Sequence, residues 1–231
     1  YCAANGVLFP LEVPAEKAIA ATVSFFKSLL TATAVLARIG GILGKSDVYD
    51  QVFEDATHLP ELLREVFTQR RINSIAYVAK KLARGMPESR HGYITSAGLL
   101  SDCLLAEASL KAKELARVHL EPIFNSLFHG PLNPDVSTAI YLEDPLVTVD
   151  AMKKHVDKLS LYIPTVATLG AYDFGVPNVF IPQTTPINSV ALHLVTLQLT
   201  YFLIGIENGF SLEEIQYPIR LSKVVLESPL V

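Results

Sequence analysis

The sequence predicts an α/β fold with a doubly wound parallel sheet flanked by helices. Two observations predict it. Past residue 90, short apolar runs alternate with longer segments of helical period, the pattern of βαβ units and a parallel sheet. Apolar residues make up 50% and charged residues 18% of the 231 residues, ample for the core of one large domain or two small ones. Because crossover connections are right-handed, such units place helices on both faces of the sheet.

The elements follow in order. Residues 6–13 (GVLFPLEV) read as a short strand. Pro14 then opens a long helix over 16–39, since proline is tolerated at a helix start. Gly40-Gly41 and the Gly44-Lys45-Ser46 stretch end that helix. Residues 58–84 read as two helices, with Leu62, Leu63, Val66 and Phe67 on one and Ile75, Val78, Ala79 and Leu82 on the other. The loop 84–89 marks the expected domain boundary, dividing the chain into 1–85 and 86–231. After it come a strand at 91–95 and a helix at 101–118 capped by Ser101 or Asp102. A strand at 137–142, a helix at 148–161, strands at 163–168 and 179–182, and a helix at 187–206 complete the pattern.

Composition excludes several classes. A formal net charge of -4 argues against a nucleic-acid partner, which selects a basic excess. Two cysteines, Cys2 and Cys103, leave no disulfide framework and no cysteine-based zinc site, so a reduced, cytoplasmic setting is expected. No His, Asp or Glu set has ligand spacing, so neither a metal nor a cofactor is expected. Two apolar stretches imitate membrane spans. Lys27 and Arg38 interrupt 18–42, and 187–206 carries Asn188, Ser189, His193, Thr196, Gln198 and Thr200. Such groups belong in a buried core helix rather than in lipid, and His193 reads as a satisfied core histidine. No basic segment precedes an apolar run at the start, so no signal peptide is expected. The opening Tyr1 suggests a piece of a longer protein.

The chemistry-bearing stretch is the helix at 101–118. Glu107, Lys111 and Glu114 stand at i, i+4 and i+7, which puts two carboxylates and one ammonium on a single face. That spacing fits a solvated face laced by ion pairs. It fits equally an acid–base site in which the lysine poises one glutamate for proton transfer. Spacing alone does not choose. His129 in Phe128-His129-Gly130-Pro131 is held in a tight turn, and Lys223 sits in an apolar tail as either a snorkelling cation or an amine nucleophile. His119 reads as structural.

These segments carry a resemblance. The run L-A-E-A-S-L-K-A-K-E-L-A-R-V-H at 105–119, followed by F-H-G-P at 128–131, resembles the sugar isomerase (SIS) family. Within that family it is most similar to the isomerase half of glucosamine-6-phosphate synthases and to the related sugar-phosphate deaminases. Residues 16–22 (EKAIAAT) are similar to the family's E-x-x-V-A-x-T helix start, and 220–224 (RLSKV) to its R-x-L-x-K-x-V tail. The resemblance implies two SIS domains. Residues 1–85 would hold the C-terminal part of a first domain plus connecting helices, and 86–231 a second domain and tail. The family's Ser/Thr-rich phosphate loop would then lie upstream of Tyr1.

The resemblance also implies a mechanism. Glu114 would move a proton between C1 and C2 of an open-chain hexose or amino-hexose 6-phosphate, with Lys111 stabilising the developing charge. His129 would assist ring opening from the neighbouring subunit of a homodimer, and Lys223 would form a Schiff base with the ketose. Ile19, Thr22 and Ser222 would line the sugar pocket, and Glu107 would pair with Lys111. Val23, where the family often has Lys, and Ser126, where it often has Glu, point to a divergent isomerase or deaminase rather than a synthase proper. The alternative reading is a regulatory module that binds a sugar phosphate without turnover, since a fold does not fix a function.

Overall fold

The computed structural model describes residues 23–44, 46–86, 90–98, 101–124 and 135–211. Helices α1 (Val23–Ile42), α2 (Ser46–Val66) and α3 (Gln69–Gly85) precede the sheet. Then follow β1 (His91–Ser96), α4 (Ser101–Ala116), β2 (His119–Ile123), β3 (Thr138–Leu142), α5 (Val149–Tyr162), β4 (Thr165–Gly170), β5 (Asn178–Phe180) and α6 (Pro186–Glu207). The expected strand at 6–13 and the start of the first helix lie outside the described residues.

The five strands pair in the order β2-β1-β3-β4-β5, and every pairing is parallel. Strand side chains alternate between two faces, as the pleat requires. Ile94, Ile140, Leu142, Ala167 and Leu169 face a thick layer of α3, α4 and α6, with Val66 of α2 and Leu82 of α3 in the same core. Tyr93, Ala139, Tyr141 and Val166 face the other way, against Met152, Val156 and Leu159 of α5. The two βαβ units thus cross on opposite faces, and the winding direction reverses between β1 and β3. Helix α3, on the N-terminal side of the 85–86 division, lies against β4 and β5.

Three elements differ from the sequence expectation. Helix α1 runs through Gly40-Gly41 to Ile42, because each glycine weakens a helix by only about 1 kcal/mol. The chain turns at Gly44, whose φ of 87° suits a residue without a side chain. Helix α2 begins at Ser46, with Asp47 in its first turn, and passes through Pro60. That proline leaves the Ala56 carbonyl without its helical donor. Strand β2 has no counterpart in the expected pattern. It is an edge strand, and there Pro122, which lacks an N–H, is tolerated.

Helix α6 is long and apolar enough to cross a membrane by length and composition. Here it is a core helix, packed on α2, α3 and α4, with Leu192, Leu197, Tyr201 and Ile204 among its buried residues. His193 is 3% exposed, and as a neutral ring it can donate from Nε2 to the Leu169 carbonyl at 3.1 Å and accept at Nδ1 from the Ser189 hydroxyl at 3.2 Å. Burial holds its pKa below the ordinary histidine value. The reading of His193 as a satisfied core histidine therefore stands.

Candidate functional site

Helix α4 is built to sit deep. Leu104, Leu105, Ala108, Ala112 and Ala116 form its buried stripe, and the small alanines let it approach the sheet and α6 closely. Ser109 donates a hydrogen bond to the Leu120 carbonyl of β2, which fixes the helix rotation. That rotation carries Lys111 inward. Its side chain is only 3% exposed, with Nζ 3.2 Å from Glu107 Oε1 and 2.8 Å from Glu114 Oε2.

The three groups foreseen on one helical face therefore form a single ion cluster, and it is not a solvated face. The glutamate side chains are 17% and 19% exposed, so each carboxylate still reaches a boundary with solvent. Two anions around one buried ammonium leave a net charge of one negative unit. Removing the lysine would leave two carboxylates facing each other with no compensation. Glu114 engages the ammonium through Oε2, and Oε1 lies outside that contact. A carboxylate beside a cation serves equally in a structural ion pair and in acid–base chemistry. His129, Lys223, Ile19, Thr22 and Ser222 lie outside the described residues.

A second acidic place escaped the sequence reading. It lies at the C-terminal edge of the sheet, close to the reversal point where open α/β sheets bind ligands. Glu143 and Asp144, which follow β3, are 8% and 2% exposed. Glu143 accepts hydrogen bonds from the backbone N–H of Ala171 (2.8 Å, to Oε2) and of Tyr172 (3.0 Å, to Oε1). Asp144 Oδ1 accepts one from Leu146 N–H at 2.8 Å. Two glycines make the room. A Cβ on Gly170 would collide with the Glu143 carboxyl, and one on Gly98 with that of Asp144. Glu143, Asp144, Tyr172, Gln183, Ser189 and His193 line a small open cleft of about 30 Å³. Burial pushes the Glu143 carboxyl up to about 7, against the two backbone donors, which pull the other way. Among the described residues no group of three His, Cys, Asp or Glu side chains is placed to hold a metal ion.

A parallel sheet in this strand order, flanked by helices on both faces, is a doubly wound α/β architecture. No family model matches the chain, and no curated protein matches its sequence. Solved structures do match. The C-terminal domain of glucosamine-fructose-6-phosphate aminotransferase from Francisella tularensis superposes with a TM-score of 0.70 at 16% identity, over 86% of this chain and 57% of that one. A proposed phosphosugar isomerase from Clostridium difficile gives 0.67 at 17% identity, over 94% of this chain and 61% of its own. A proposed phosphosugar isomerase from Silicibacter pomeroyi gives 0.62 at 14% identity, over 87% and 57%. The fold is SIS-like, as the sequence resemblance implied. The chain spans about 57–61% of the length of these neighbours.

Proposed function

We propose that this chain acts on a hexose or amino-hexose 6-phosphate, as an isomerase or a deaminase. The observation that carries the reading is the buried Lys111 clasped between Glu107 and Glu114 on a SIS-like fold. Glu114 moves the proton between C1 and C2 of the opened sugar. Lys111 stabilises the enediolate-like charge as it forms, and Glu107 holds Lys111 in place. Lys223 forms an imine with the ketose carbonyl, and His129 of a second copy in a homodimer assists ring opening. Ile19, Thr22 and Ser222 line the sugar pocket. The names of the structural neighbours, which describe sugar-phosphate enzymes, support this assignment.

The test uses the full chain with fructose 6-phosphate plus ammonia and, separately, with glucosamine 6-phosphate. Sugar interconversion and ammonia release are followed together. Loss of a positioned general base removes about 10²–10⁴-fold of rate, so Glu114→Gln lowers turnover by that factor while the protein stays folded. Turnover that survives the substitution removes Glu114 from the role. Binding of either sugar phosphate without turnover favours the regulatory module.

A further inference from the structure

Helix α2 carries two stripes. Leu59, Leu62, Leu63 and Val66 pack into or against the core. Asp55, His58, Leu62 and Glu65 recur at steps of three and four residues, which puts them on one face. That face does not close on its neighbour. Between it and the start of α6 lies a cavity of about 340 Å³, bounded on the α6 side by Thr184, Thr185 and Asn188. Small organic ligands fill cavities of about 300–1,000 Å³.

The deep side of the cavity holds groups whose needs the protein leaves unmet. Asp55 is 8% exposed, and its Oδ1 accepts from the neutral Gln51 amide at 3.0 Å. Among the described residues no Lys or Arg lines the cavity. A buried carboxylate calls for an opposite charge. Asn188 is 2% exposed. Its Nδ2 donates to the Asp55 carbonyl at 2.8 Å, which fixes the amide, and its Oδ1 has no hydrogen-bond partner. The buried Thr185 hydroxyl, at the cap position of α6, has none either. The rim is acidic as well. Glu61 and Glu65 are exposed there, Glu61 4.0 Å from the His58 ring and Glu65 paired with Arg71 at 3.1 Å. With His58 neutral and the start of α6 counted as about half a positive charge, the place is negative by roughly one and a half units.

We infer that this cavity binds a short aliphatic diamine. One ammonium sits against Asp55 and donates to Asn188 Oδ1, the methylenes lie on Leu62, and the second ammonium reaches Glu61. Six residues of α2 separate the two acids, about 9 Å of helical rise, which a four-carbon diamine with a hydrogen bond at each end spans. An anion is excluded by the carboxylates, and Pro186 removes one of the N–H groups it would use at the start of α6. A metal ion alone does not fit, since among the described residues no three His, Cys, Asp or Glu side chains are placed to hold one.

The test is titration calorimetry of the full chain with diaminobutane. Butanediol and butylamine serve as probes of the same carbon chain, and sodium chloride at matched ionic strength as the control. Wild type binds the diamine and not the diol, and it binds butylamine at least about threefold more weakly. Asp55→Asn weakens the diamine and butylamine alike, by about tenfold. Glu61→Gln, at the exposed rim, weakens the diamine by about threefold and leaves butylamine unchanged. Should Asp55→Asn fail to fold, Glu61→Gln still decides, because an exposed rim residue does not hold the fold together. No response of wild type to the diamine beyond the salt control overturns the site, and so does equal diamine affinity in wild type and Glu61→Gln. The cavity shares no residue with the Glu107, Lys111 and Glu114 cluster, so failure here is separable from failure of the proposed catalysis.

Discussion

On α4 two glutamates surround a buried ammonium, whereas at the C-terminal edge of the sheet Glu143 is met by the backbone N–H groups of Ala171 and Tyr172. No Lys or Arg is among the described residues lining the Glu143 cleft. Both places take carboxylates out of water, and the compensation differs. At Glu143 burial outweighs the two amide donors, whereas on α4 a full opposite charge lies against both carboxylates. Glu143 accordingly titrates near neutrality, in a cradle that depends on Gly170. One site answers burial with an ion cluster, and the other with backbone donors and a carboxyl whose pKa is raised.

The largest effect comes from breaking the pairing. Lys111→Met leaves Glu107 and Glu114 partly buried without a cation, and about 3–5 kcal/mol of unfolding free energy is lost. Urea denaturation at neutral pH measures it. Adding Glu107→Gln and Glu114→Gln to that variant neutralises the cluster and recovers most of the loss. A single variant as stable as wild type would mean that the ammonium compensates nothing.

Next comes the proton at Glu143. Its folded pKa of about 7 lies above the ordinary 4.5, so the folded state holds the proton more tightly than the unfolded chain does. The resulting stabilisation is fully present below 4.5 and is lost as pH rises through 7. Allowing for the solvent that reaches the group, the loss is roughly 2–3 kcal/mol. Denaturation curves collected across that range show the decline in wild type. The same curves for Glu143→Gln lack this component, and parallel pH profiles for the two proteins would refute it.

The smallest effect tests the cradle. Gly170→Ala forces the Glu143 carboxyl aside and destabilises by about 1–3 kcal/mol. Glu143→Ala removes the obstructed group, so the two substitutions combined cost less than their sum. Strict additivity in the double-mutant cycle would show that the glycine serves something other than Glu143.

Much of this arrangement was legible in the sequence, and for definite reasons. Short apolar runs reported β1, β3 and β4, whose two faces are both buried, and longer apolar or helical-period segments reported α5 and α6, all to within a few residues. The Glu107, Lys111 and Glu114 cluster was legible because helical spacing is local. Its burial was not, since that depends on α6 and β2 packing against the same helix. Strand β2 was hidden by Pro122 and Glu121, which only an edge position accommodates. Glu143 and Asp144 belong to no local motif. The glycines that admit their side chains lie at positions 98 and 170, and only the folded sheet brings them together. The signal that could have found them is positional: two acids directly after a buried strand, at the ligand-binding edge of an α/β sheet.

Helix α6 has a consequence for the order in which the core can be completed. It covers the apolar faces of α2, α3 and α4, yet it is the last of the described elements to be synthesised. About 120 residues separate the end of α3 from the end of α6, which a ribosome adds in on the order of 6–24 s. Over that interval the emerging α2 and α3 have no α6 to close over them. The nascent chain is then a substrate for holding chaperones, and release before α6 emerges leaves those faces open to aggregation.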